Sequence, residues 1–306
     1  KGHRPPVAAF ELYAKAVEKA ETSPREALAL ALRAVKLDPG YAGALTLAGS
    51  MYTQIGDNTN ADRYFSMAGK ALRDSGLADS PDYAMLIQNV SLTVWNRGDN
   101  RASIDRGLEA LKLWEKLGRN DNSAYAMNLM VLGAAYRNMN DAANDLKYTA
   151  RAREVLRSIG LERSSAYAWV LANLGVTRLS AGQYDEALAL NNEALALWSS
   201  LGMGRSSGYA ITYSQNGSVY YMKKDYTKAL KFLLEGMKMC AGLGLDQTVQ
   251  YAYFSWNAAN SYWMQGKYCE GLPHMERAVK VFRSLGSQVT AQAEKSLGDF
   301  KRQCGK

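Results

Sequence analysis

The chain repeats itself every 42 residues, and that period constrains the fold more than any other feature. Gly76, Gly118, Gly160, Gly202, Gly244 and Gly286 are spaced in this way. So are Tyr41, Tyr83, Tyr125, Tyr167, Tyr209 and Tyr251, each followed by alanine. A third column, Ala68, Ala110, Ala152, Ala194, Gly236 and Ala278, is always small. A fourth holds Ser80, Asn122, Ser164, Ser206, Thr248 and Thr290. The side chains of Ser, Asn and Thr accept a hydrogen bond from the free amides at a helix start, so this column predicts one N-cap per repeat. The glycine column ends the other helix, because glycine enters the left-handed region without steric cost. An internal break falls at Gly56, Gly98, Asn140, Gly182, Lys224 and Gly266. Each repeat therefore reads as a hairpin of two helices, of about 17 and 18 residues and about 25 Å each. One hairpin cannot bury its own apolar faces, so neighbours must stack.

Small residues mark where helices approach closely. On the first helix they are Gly49, Ser91, Gly133, Gly175, Gly217 and Ala259. Tyrosine follows three residues later at Tyr52, Tyr136, Tyr220 and Tyr262, while Val94 and Arg178 break that column. These residues, with the Gly182–Tyr184 and Gly266–Tyr268 turns and Ala187 and Ala194, resemble the tetratricopeptide repeat (TPR). The N-terminal segment resembles its ordinary 34-residue form: a second helix from Ser23 to Leu37 carries Ala27 and Ala34, and Asp38-Pro39-Gly40 closes it. The lengthened units are similar to those of kinesin light chains and LGN-like adaptors. They lack the Pro- and His-containing loop that follows Leu-Gly in kinesin light chains. The resemblance implies an all-α, right-handed superhelix, an α-solenoid of about seven hairpins with a closing C-terminal helix. Its expected divisions are a disordered tail over 1–7, a 34-residue unit over 8–41, six 42-residue units over 42–293, and a capping helix and tail over 294–306, all in one domain. The closing helix is expected to run from Ala291 to Gln303.

The net charge is +8. A basic balance raises the prospect of nucleic acid or acidic partners, so the location of the charge matters. The first helices, over 39–55, 81–97, 123–139, 165–181, 207–223 and 249–265, hold five charged residues: Asp82, Arg97, Arg137, Arg178 and Lys223. In the family these helices line the concave surface. The charge therefore belongs to the back, the turns and the tails, and no basic track for nucleic acid is expected. No apolar run approaches the about 20 residues that span a membrane. The chain begins at Lys1, which reads as a processed or truncated start, and no signal peptide is visible.

The resemblance places a set of first-helix residues on the concave face. In the first half these are Met85, Gln88, Asn89, Leu92, Trp95, Asn96, Met127, Met130, Arg137 and Asn138. Further on they are Trp169, Asn173, Leu179, Tyr221, Met222, Tyr253, Trp256, Asn257, Asn260, Trp263 and Met264. Asn89, Asn173 and Asn257 are equivalent and lie 84 residues apart. An amide side chain donates to and accepts from a peptide backbone at once. Methionines and aromatics supply apolar pockets that tolerate variety. The implied function is a non-enzymatic scaffold or adaptor that binds a peptide segment of a partner protein. A ligand- or peptide-sensing regulatory module of a larger signalling or transcription-regulating protein is the alternative. Self-association, with an end helix of one copy in the groove of another, is a third reading. Some grooves of this family grip a C-terminal carboxylate with cations and asparagine. Only Arg137 is available inside, so that mode is not expected.

No catalytic residue, metal site or cofactor is expected. The chain holds no Gly-x-Gly-x-x-Gly unit, P-loop or His-Glu-x-x-His motif. His274 lies near Cys269, and the pair reads as a lone histidine on a charged helix rather than a nucleophilic dyad. Cys240 falls in the column of Leu72, Trp114, Leu156, Trp198 and Phe282, which makes it a core thiol. Three unpaired cysteines point to a reducing, cytoplasmic setting. Pro273 should delay or kink the second helix of the last unit.

Overall fold

The computed structural model describes residues 3–305. Among them are fifteen helices and no strand. The first helices of the hairpins are α1 (Val7–Lys19), α3 (Ala42–Gln54), α5 (Pro81–Asn96), α7 (Ser123–Asn138), α9 (Ser165–Ser180), α11 (Ser207–Met222) and α13 (Val249–Trp263). Their partners are α2 (Pro24–Leu37), α4 (Asn58–Asp74), α6 (Asn100–Lys116), α8 (Ala142–Ser158), α10 (Tyr184–Ser200), α12 (Tyr226–Gly242) and α14 (Tyr268–Ser284). The closing helix is α15 (Thr290–Gln303). The fold is an α-solenoid of stacked helical hairpins. The chain divides into two compact units, 1–170 and 171–306, with the boundary inside α9. Of the tail expected over 1–7, residues 1 and 2 lie outside the described residues. His3 Nε2 is 2.6 Å from Asp38 Oδ2, and α1 starts at Val7.

Both break columns hold left-handed residues. The glycines at 76, 118, 160, 202, 244 and 286 all have positive φ, and so do those at 56, 98, 182 and 266. The two non-glycines of the internal column follow suit, Asn140 at φ 60° and Lys224 at φ 63°. Each hairpin demands the same reversal, so the turn geometry overrides the roughly 1–2 kcal/mol cost of this region for a residue with a Cβ.

Five members of the capping column behave as expected. Ser80, Asn122, Ser164, Ser206 and Thr248 each accept the amide of the column tyrosine three residues on, at 2.9 to 3.3 Å. Thr290 does not. The preceding turn starts α15 one residue early, so Thr290 is its first residue, and its hydroxyl donates to the Ser287 carbonyl at 2.6 Å. Pro273 does not delay α14, whose start at Tyr268 keeps the 42-residue spacing from Tyr226. Inside α14 the proline deprives the Cys269 carbonyl of its amide donor.

Within each hairpin the small first-helix residue meets a side chain sixteen residues on. A Cβ on Gly49 would lie 2.5 Å from the Phe65 ring, and one on Gly217 would lie 2.6 Å from Leu233 Cγ. On Gly133 it would lie 2.3 Å from Thr149 Oγ1, and on Gly175 2.1 Å from Asn191 Oδ1. In the α5–α6 hairpin the small residue changes sides. Ser91 faces Gly107, and the space is closed by Leu132 and by a hydrogen bond from Ser91 Oγ to the Ser103 carbonyl at 2.7 Å. Volume is thus conserved across the seam while its chemistry varies. The second-helix column Ala68, Ala110, Ala152, Ala194 and Ala278 is fully buried throughout.

The cysteine expectation is corrected. Cys269, at the start of α14, and Cys304, just past α15, form a disulfide, and Cys240 alone is free. The return of α15 along α14 joins two positions 35 residues apart in sequence. The argument for a reducing setting therefore loses its premise. Cys240 is buried as expected, and burial pushes its thiol up to about 12, which keeps it protonated and inert. His274 stacks on Tyr262, with burial and Arg277 holding it below the ordinary histidine range.

Candidate functional site on the first-helix face

On α5 the residues Met85, Asn89, Leu92 and Asn96 follow the i, i+4, i+7, i+11 spacing of one helix face. None of the four is buried. The equivalent faces of the other helices give a column headed by Met85, Met127, Trp169, Ile211 and Tyr253. Every member is apolar, and none is buried; Met85 is 38 % and Tyr253 42 % exposed. A core residue of this size is normally removed from water, and these five keep part of their surface in it, although Ile211 also packs against the Leu233 and Met237 core and the Tyr253 ring meets Phe282 at 5.0 Å.

The first unit carries the apolar version of the face. Ala9 and Ala16 on α1 are seven apart and fully buried, as Ala84 and Ser91 are on α5. That register aligns Phe10, Ala14 and Val17 with Met85, Asn89 and Leu92. Phe10 is 54 % and Val17 48 % exposed. The neighbouring row, which on α5 packs as Leu86 and Thr93, is Glu11 and Glu18 on α1. The exposed apolar row is therefore distinct from the row on which hairpins stack. Phe10 and Val17 escape a reading by period because α1 belongs to the shorter unit. Ile211 was missed although it stands in the Met85 column.

The second unit carries an amide version. Asn257 Nδ2 donates to Ser218 Oγ at 3.0 Å, which ties α13 to α11. Asn260 hydrogen-bonds Tyr221, whose phenol burial raises above the ordinary tyrosine range. Gln215 stands in the same column as Asn173 and Asn257. Its Oε1 is buried without a partner among the described residues. Deeper in the unit, Asn191 Nδ2 donates to Asn216 Oδ1, and Asn216 Nδ2 to Asn192 Oδ1, at 2.9 and 3.0 Å.

The expected site residues therefore separate. Met85, Asn89, Asn138 and Trp169 in the first unit lie on the open side, as do Asn173, Tyr253, Asn257 and Asn260 in the second, and none is buried. Gln88 and Met130 are buried instead. Trp95 packs against Ile104, Leu132 and Ala135. Arg137 is not available to a ligand. Its guanidinium lies 3.5 Å from Asp145, with side-chain exposures of 11 % and 2 %. Trp256 and Trp263 lie under the closing helix, with Leu297 and Phe300; Trp263 meets Phe300 edge-on at 4.8 Å. Trp95 and Trp263 share a row with Arg137 and Tyr221 that turns toward a packed helix. Tyr221 is half-buried, hydrogen-bonded to Asn260 and 5.9 Å from the Tyr226 ring.

Charge is nearly absent from the face, and the cations at its ends are engaged. Arg97 pairs with Asp62, and Lys223 Nζ lies 2.6 Å from Asp185 Oδ1. Among the described residues no group of three His, Cys, Asp or Glu side chains could hold a metal. No helix among them is long and apolar enough to cross a membrane.

The tetratricopeptide repeat model matches residues 123–200 and 164–242. No curated protein matches the chain by sequence. A Rap protein solved in complex with Competence and Sporulation Factor is similar in fold: TM-score 0.67, 14 % identity, covering 97 % of this chain and 85 % of that one. BtubC (BKLC) from P. vanneervenii gives a TM-score of 0.51 at 19 % identity, covering 78 % of this chain and 93 % of that one. At these identities the likeness is one of fold. The tetratricopeptide repeat model thus covers residues 123–242, and further helical hairpins flank that stretch on either side.

Proposed function

We propose that the chain is a non-enzymatic interaction scaffold whose first-helix faces bind a peptide segment of a partner protein. The observation that carries this reading is the unburied apolar column of Met85, Met127, Trp169, Ile211 and Tyr253. Within the first unit the apolar row suits ligand side chains, and within the second the amides suit a peptide backbone, each face taken by itself. Neither face offers a basic track, so the partner is a protein rather than a nucleic acid. A second reading, a ligand-sensing module within a larger regulatory protein, is favoured by one comparison: the Rap protein was solved with a factor bound.

A randomised phage-displayed peptide library selected on the purified chain tests the proposal. Selected peptides should lose about tenfold or more in affinity on Tyr253→Ala with Asn257→Ala, or on Met85→Ala with Met127→Ala, a loss of about 1.4 kcal/mol or more. Both variants should remain folded by circular dichroism, the Tyr253/Asn257 pair with a modestly lowered melting temperature because the Asn257–Ser218 bond and the Tyr253–Phe282 contact are lost. Peptides that bind both variants as well as the wild type would refute the assignment of the face.

A further inference from the structure

We propose that Cys269 and Cys304 form a redox clasp on the closing helix, opened by a dithiol reductant. The clasp is independent of the peptide-binding reading. The closing helix α15 packs on α14, and among the described residues no further helix covers its other side. It is held by Ala293 and Phe300, both buried, and by half-buried Leu297, packed on Phe282, Leu272, Met275 and the two tryptophans Trp256 and Trp263. Its outward side is polar, with Gln292, Lys295, Lys301 and Arg302 exposed, while Glu294 pairs with Arg283 of α14 at 2.6 Å. A 14-residue helix anchored by so few apolar side chains is marginal by itself. The disulfide ties its C-terminal end to the first turn of α14.

The chemistry needs access, and the structure supplies it. Cys269 is exposed and Cys304 half-buried, whereas the third cysteine, Cys240, is buried elsewhere in α12 and cannot exchange with them. A thiolate of the reductant attacks one sulfur of the bridge. The Cys269–Cys304 bond breaks and a mixed disulfide forms, and the departing cysteine leaves as a thiolate that takes up a proton. The second thiol of the reductant then displaces the protein sulfur. The reductant leaves as its own disulfide, and both cysteines become thiols. Two electrons pass from the dithiol to the protein. Reduction removes the covalent tie across the 35-residue separation, and α15 is then retained by its apolar contacts around Ala293 and Phe300 and by the exposed Arg283–Glu294 ion pair. Opening of α15 uncovers Trp263, Leu272 and Met275.

Mass spectrometry and hydrogen exchange on the whole chain test this. Protein purified without reductant should yield a linked peptide containing Cys269 and Cys304, with Cys240 alkylated only after denaturation. Adding dithiothreitol should speed amide exchange over residues 290–303 by about tenfold or more, with residues 1–240 unchanged. Cys304→Ser should exchange like the reduced wild type with or without the dithiol. Free, alkylatable Cys269 and Cys304 in air-oxidised protein would overturn the clasp. So would unchanged exchange in α15 on reduction, or a rise spread over the whole chain.

Discussion

Two hairpin seams, one in each unit, invert each other's chemistry. In the first, the α7–α8 seam is polar: Gly133 admits Thr149 and Asp145, and the Asp145 carboxylate is paired with buried Arg137. The unburied first-helix positions of that unit include the apolar Phe10, Val17, Met85 and Met127, with Asn89 and Asn138 among them. In the second, the α11–α12 seam is apolar: Gly217 admits Leu233, which packs with Met237, Cys240 and Leu245. Its outer face carries Gln215, Ser218, Asn257 and Asn260. One hairpin geometry thus accepts either chemistry on either side. The repeat fixes volumes and turn conformations and leaves polarity free, which lets one fold present two different surfaces.

The largest expected effect is in the polar seam. Asp145→Ala removes the carboxylate that faces the buried Arg137 guanidinium, whose pKa burial already depresses. A loss of about 3–5 kcal/mol is expected in chemical denaturation. Loss of protection should centre on α7 and α8. A loss below about 1 kcal/mol would mean that the seam rehydrates, and the contrast between the seams would fail.

The apolar seam gives the next effect. Gly217→Ala puts a methyl 2.6 Å from Leu233 Cγ and 2.9 Å from the Leu233 amide nitrogen. Backbone cannot yield as a side-chain tip does, so a loss of about 1–3 kcal/mol is expected. Gly242→Ala, at the end of α12 with nothing within 4 Å, is the control. It should be neutral or stabilising by up to about 1 kcal/mol in the same thermal melts.

The smallest effect compares the internal turns. Lys224→Gly should gain about 1 kcal/mol, because it relieves a Cβ in the left-handed region. Asn140→Gly, the same turn position in the first unit, should gain less, since asparagine tolerates that conformation. Equal gains would show that the two turns are not equivalent in strain.

The period made the helices, their turns and most of their caps legible. Small residues and tyrosines at fixed spacing can meet only one way once paired helices stack. The face was legible in part. Met85, Asn89, Tyr253 and Asn257 could be read from register, but Gln88, Trp95, Trp256 and Trp263 could not be told from them. All are apolar or amide residues on the same helices, and a shift of three positions moves a residue by most of a right angle. Arg137 misled for a related reason. A lone charge on an uncharged helix looks like a ligand group until its partner Asp145 is found on the next helix.

By itself, then, the sequence determined local conformation: where each helix starts, where glycine must turn it, and which positions must be small. These depend on backbone sterics and hydrogen bonds within a few residues. Only the tertiary structure decided which polar groups are buried together, that Cys269 meets Cys304, and that α15 covers Trp263. Those outcomes depend on which side chains meet across a packed seam, and no spacing along the chain encodes that.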